Sequence, residues 1–136
     1  MKTFIFTLLS TLIFSQDTAM TLEDLRWENR VILYFPQTDD DHWEISDSVQ
    51  HEIKERKLAY FIFRDTLVTN KPGVFTPAYL DQIESKYRMG SKKSLWVLIG
   101  LDGGVKRRTE GSLDWNQVFG TIDAMPMRQS EIRNNQ

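Results

Sequence analysis

The chain has 136 residues, 40% hydrophobic and 12% aromatic, which gives room for one domain with a packed core and argues against a disordered body. A formal charge of −2 supplies no global attraction to nucleic acid. With no cysteine at all, the chain has no disulfides, no thiolate metal ligands and no nucleophilic thiol.

Residues 1–15 differ from the rest. Lys2 precedes an apolar run from Thr3 to Phe14, closed by Ser15, and roughly a dozen apolar residues fall short of the ~20 that span a bilayer. The pattern predicts a cleaved secretory signal, export to the periplasm or the extracellular side, and no transmembrane span in the mature chain. Thr21 then suits the N-cap of a short helix with Asp24 in its first turn. Val31 to Phe35 is a continuous apolar run stopped by Pro36, the pattern of a central strand. A polar loop from Gln37 to His42 leads to a helix, with Asp41 and Glu44 in capping-box spacing and Ile45, Val49 and Ile53 on one stripe.

Leu58 to Phe63 reads as the next strand, and Thr66 to Phe75 shows no period, with turn residues from Asn70 to Gly73. Thr76-Pro77 opens a helix whose inner stripe is Leu80, Ile83 and Tyr87, with Gly90 at its end. Leu95 to Ile99 is a buried strand. Gly100, Asp102, Gly103 and Gly104 turn it into the charged segment from Val105 to Thr109, which makes a hairpin. Asp114 and Gln117 cap a last helix bearing Trp115, Val118, Phe119 and Ile122, and Pro126 is expected to end or kink it. The tail from Ser130 looks loose, with residues 133–136 outside the domain. The order β-α-β-α-β-β-α predicts a parallel crossover followed by an antiparallel hairpin. The expected α/β fold is a four-stranded mixed sheet with helices on both faces, thioredoxin-like, over residues 21–132.

Three segments carry a resemblance: Arg26-Trp27-Glu28-Asn29-Arg30, the run from Val97 to Lys106, and the run from Ile122 to Ile132 with Asp123-Ala-Met-Pro-Met-Arg128 at its centre. They resemble a family of bacterial exported domains of unknown function, DUF4174, and the C-terminal domain of animal sushi-repeat-containing extracellular proteins. The resemblance implies a thioredoxin-like fold, export and an extracellular binding role, and it brings no catalytic residues with it.

In thioredoxin-like enzymes the reactive thiol opens the helix after the first strand, where the dipole lowers its pKa. Here Thr38, Asp39, Asp40, Asp41 and His42 occupy that place, which excludes dithiol exchange and thiol peroxidase chemistry. Asp39, Asp40, Asp41 and His42, with His51 further on, offer oxygen and imidazole ligands to a divalent ion, although their spacing fits no EF-hand and no His-Glu-X-X-His helix. Without an ion they are a solvated capping loop. Lys86, Arg88, Lys92 and Lys93 before the hairpin, with Lys106, Arg107 and Arg108 on its far side, would bind a polyanion if they converge; edge-strand protection and solubility explain the same charges. Met125, Met127 and Arg128 either form a structural lock that closes over the sheet or packs against the Arg26-Trp27 segment, or form, with Arg26 and Trp27, an adaptable lip that binds a partner. Trp27, Trp96 and Trp115 are expected in the core. The resulting expectation is a non-catalytic binding module without a cofactor, whose partner is a protein or a polyanionic glycan or lipid outside the cytoplasm. The alternative is a metal-assisted hydrolase using Asp39 to His42.

Overall fold

A computed structural model describes residues 19–38 and 43–136. The signal expected over residues 1–15 and the metal quartet Asp39, Asp40, Asp41 and His42 lie outside the described residues. At the centre lies strand β1, Arg30–Phe35, buried along its whole length, as an apolar run with neighbours on both sides and both faces should be. It runs parallel to β2, Leu58–Phe63, with Val31 opposite Ala59. On its other side it pairs antiparallel with β4, Leu95–Ile99, which returns through a tight turn as β5, Val105–Glu110.

The sheet has five strands, not the expected four. The additional strand, β3 (Leu67–Thr69), pairs antiparallel with β2 in the order β3-β2-β1-β4-β5. It falls in the stretch that shows no period, because three residues are too few to display an alternation. Its pairing is extended by a side chain. The Asn70 amide donates to the Leu58 carbonyl at 3.0 Å and its oxygen accepts from the Tyr60 N–H at 3.0 Å, so one amide group stands in for a further strand residue.

Alternation along the strands divides the core into two layers. Ile32, Tyr34, Tyr60, Trp96 and Leu98 face one side, under helix α1 (Asp47–Glu55) and helix α3 (Trp115–Asp123). Val31, Leu33, Phe61, Val97 and Ile99 face the other, under helix α2 (Pro77–Arg88) and a 3-10 turn, Leu22–Leu25. The Tyr79 hydroxyl accepts from the Leu22 N–H at 2.9 Å and ties that turn to α2.

Caps set most helix boundaries where the sequence places them. Thr76 accepts from the Tyr79 N–H and Asp114 from the Asn116 and Gln117 N–H groups. Two boundaries differ. Helix α1 is capped by Ser46, whose hydroxyl accepts from the Val49 N–H, rather than by Asp41; Trp43 and Ile45 pack on the core from chain outside any helix or strand. Pro126, expected as a stop, instead opens a fourth helix, α4 (Pro126–Asn134), which takes in most of the tail that looked loose. A proline that cannot continue one helix suits the first position of the next. Among the described residues no helix is long and apolar enough to cross a membrane.

Candidate functional site

One end of the sheet gathers the segments that the sequence singles out. The start of β1, the β4–β5 turn and the first residues of α4 meet there. Trp27 lies just before β1 in a left-handed conformation, φ 68, a costly one for a bulky side chain. Its N–H donates to the Leu101 carbonyl at 2.7 Å, and the Leu25 carbonyl accepts from Glu28 and Asn29, so the chain on either side holds the residue in place. The side chain gains no burial from this. Trp27 is 60% exposed, whereas Trp96 is 1% and Trp115 9% exposed, so the expectation of three core tryptophans holds for two. The Arg26 guanidinium stacks 5.4 Å above the Trp27 ring, and its stem runs along Gly103, whose positive φ of 81 shapes the turn.

Within that turn Asp102 accepts from the Gly104 N–H at 3.0 Å and from the Lys106 ammonium at 2.9 Å. Those two bonds, Lys106 first, hold its carboxyl below the usual carboxylate range. The register steps from Leu98 opposite Arg107 to Ile99 opposite Val105, leaving Lys106 as the extra residue of a bulge. Bulges re-aim side chains, and Lys106 borders a cavity of about 300 Å3 between the turn and α4. Gly100, Leu101, Met125, Pro126 and Met127 supply its mainly apolar walls, and Arg30 lines it from the sheet.

The expected cluster Lys106, Arg107 and Arg108 does not converge. Arg107 stacks over Trp96 at 5.3 Å and donates to Gln117 and Thr121 of α3, while Arg108 donates to the Tyr87 and Arg88 carbonyls of α2 on the opposite face. Strand alternation separates neighbouring residues across the sheet, and these two arginines fasten β5 to both layers.

Arg128 belongs to a buried charge network rather than to the lip. It is 6% exposed, Arg56 8%, and Arg30 0%. Asp123 is shared by Arg56, at 2.9 and 2.8 Å, and Arg128, at 3.2 Å. Glu131 is shared by Arg30, at 3.3 Å, and Arg128, at 3.4 Å. Arg56 also pairs with Glu52, and carbonyls of Arg56 and Glu55 accept from Arg30 and Arg128 at 3.0 and 3.1 Å. Thus α4 is held to α1, α3 and β1 by three largely enclosed arginines and their carboxylate partners. Arg30, Arg56 and Glu131 escaped sequence reasoning; the signals were an arginine abutting an apolar strand and a Glu three residues after Arg128, a helical ion-pair spacing.

Burial pushes the Asp123 carboxyl up, but hydrogen bonds from Arg56 and Arg128 outweigh that and hold it below its ordinary value of 3.8. Desolvation pulls Arg56 down, but hydrogen bonds to Asp123 and Glu52 outweigh it and raise the guanidinium above its ordinary value. A carboxylate with a depressed folded pKa contributes stability above its unfolded pKa and loses it as pH falls through the folded value. Acid should therefore weaken the seating of α4 below about pH 4. Stability measured by urea unfolding between pH 3 and pH 6 should decline towards the acid side, and replacing Asp123 by Asn should flatten that decline.

Among the described residues no group of three or more His, Cys, Asp or Glu side chains could hold a metal ion, and His51 is an exposed residue of α1. Met125 packs partly buried against the first core layer, and Met127 is 47% exposed. Comparison with curated proteins and with solved structures finds no match. The model of the family described as a domain of unknown function, DUF4174, matches residues 21–131, and the chain belongs to that family.

Proposed function

We propose that this protein is an exported, non-catalytic binding module built on a thioredoxin-like frame, and that it meets a polypeptide partner through the end of the sheet carrying Trp27, Met127 and the β4–β5 turn. The order β2-β1-β4-β5, with one parallel and two antiparallel pairings, supports the thioredoxin-like reading, β3 being an addition at the edge. The apolar run over residues 3–14 supports export. Absence of cysteine leaves the frame without thiol chemistry.

The observation that carries the reading is Trp27. A tryptophan held at φ 68 and left 60% exposed contributes little to the core, yet it costs conformational strain. Its neighbours fit a contact surface, since Trp, Met and Arg are the residue types enriched at interface centres. Arg26 covers one ring face, and Val105 at 53% and Met127 at 47% exposure lie on the two other segments of the same end. A polyanionic glycan or lipid fits less well, because Arg107 and Arg108 are committed to opposite faces.

The test is retention of partner proteins from envelope or culture-medium extract by the immobilised protein, compared across variants. A species retained by the wild type should be lost from Trp27→Gly and kept by Met89→Gln, which alters another exposed residue, 72% accessible and located after α2, on the stretch that leads to Leu95 at the other end of the sheet. Equal retention by the wild type and Trp27→Gly would remove the basis of the proposal.

A further inference from the structure

The cavity beside the turn has features that the contact surface alone does not require. Its walls are apolar, from Leu101, Met125, Pro126 and Met127, yet cationic groups border it. Arg30 lines it with a side chain that is 0% exposed, and its Nε–H is without a hydrogen-bond partner among the described residues. A buried donor left unpaired is a substantial cost. Lys106 stands at the rim, placed there by the bulge. Helix α4 opens onto the same space with no side-chain cap: Met125 holds the N-cap position and Pro126 follows with no N–H. Uncapped first-turn N–H groups and the helix dipole both favour a negative charge. Asp102, also on the rim, accepts from the Gly104 N–H and from Lys106; an ammonium has three donors, so a ligand carboxylate would share Lys106 with Asp102.

We infer that this cavity takes the C-terminal residue of the partner polypeptide, with its apolar side chain against Leu101, Met125 and Met127 and its terminal carboxylate towards Lys106 and the start of α4. The inference rests on the binding function proposed above and names the chemistry recognised. A volume of about 300 Å3 sits at the lower limit of small-molecule sites, a size for one side chain with its carboxylate. Continuity with the exposed surface favours a chain terminus over a free amphiphile. The Leu101 carbonyl anchors Trp27, and Met127 reaches from the cavity wall to solvent, so residues preceding the terminus would pass directly onto the exposed Trp27 end. A small carboxylate acid would leave that surface uncovered.

Calorimetric titration of the purified protein with N-acetylated pentapeptides Gly-Gly-Ala-Ala-Leu and Gly-Gly-Ala-Ala-Phe, each as free acid and as amide, tests this. The free acids should bind, and the amides should bind roughly tenfold more weakly or not at all, the difference expected for losing a charge-assisted hydrogen bond. Lys106→Gln should bring the acid down towards the amide. Met127→Glu, at a half-exposed position that a polar side chain can occupy, should abolish binding with an unchanged urea midpoint. Equal affinity of acid and amide would overturn recognition of a carboxylate, and octanoate binding as tightly as the peptides would overturn the assignment to a chain terminus. If no peptide binds while partner retention still depends on Trp27, this inference fails and the binding function stands; if peptides bind but retention ignores Trp27, the function proposed for the exposed end fails instead.

Discussion

Replacing Glu131 by Ala is expected to lower the unfolding free energy by about 3 kcal/mol, the cost of leaving a buried cation without its counter-charge. The reason lies in Arg30. Its side chain is 0% exposed, and Glu131 is its carboxylate partner across the space between β1 and α4, itself only 20% exposed. With Glu131 gone, the Arg56 carbonyl remains as the acceptor for the Arg30 guanidinium, and a carbonyl dipole does not replace the lost charge. Arg128 is less affected because it keeps Asp123. The converse experiment separates charge from packing: Arg30→Met combined with Glu131→Leu should recover most of the loss, since an apolar pair of similar volume leaves no buried charge unpaired, Arg128 keeping Asp123. Urea unfolding of the two single variants and the double variant measures this. A loss below about 1 kcal/mol for Glu131→Ala, the size of an exposed ion pair, would show that the network does not hold α4.

Trp96→Ala should cost about as much, roughly 3 to 5 kcal/mol, through the cavity left by a large aromatic side chain. Trp96 sits in β4 between Tyr34 of β1 and Thr109 of β5, fully enclosed, and its ring supports the Arg107 guanidinium. Its removal therefore opens the first core layer and takes away the stacking partner of the edge strand. Unfolding by urea, followed by near-ultraviolet circular dichroism, should show the loss. A midpoint close to that of the wild type would mean that the layer under α3 collapses around the gap.

Long apolar runs made the three central strands legible, because a strand buried on both faces announces itself by continuous hydrophobicity, as Val31 to Phe35 and Leu58 to Phe63 do. Caps made α2 and α3 legible for a similarly local reason: Thr76 and Asp114 satisfy first-turn N–H groups with their own side chains. What the sequence hid depends on distant partners. Strand β3 exists because β2 offers it an edge, and α4 is held as a helix because Arg128 meets the Glu55 carbonyl of α1 and Glu131 meets Arg30 of β1. For the candidate site, Met125, Met127 and Trp27 were legible as unusual residues, but not their meeting point. Leu101 and the bulge at Lys106 bring them to one end, while Arg107 and Arg108, adjacent in sequence, are sent to opposite faces by the pleat.

Trp27 separates function from fold more sharply than any other residue, because its left-handed backbone is a cost that glycine relieves. The most direct measurement is the urea unfolding midpoint of Trp27→Gly, taken on the same preparation used for partner retention. Retention should vanish while the midpoint stays equal to or slightly above that of the wild type. A midpoint lowered by more than about 1 kcal/mol of stability, or retention left intact, would contradict the assignment of this end of the sheet to binding.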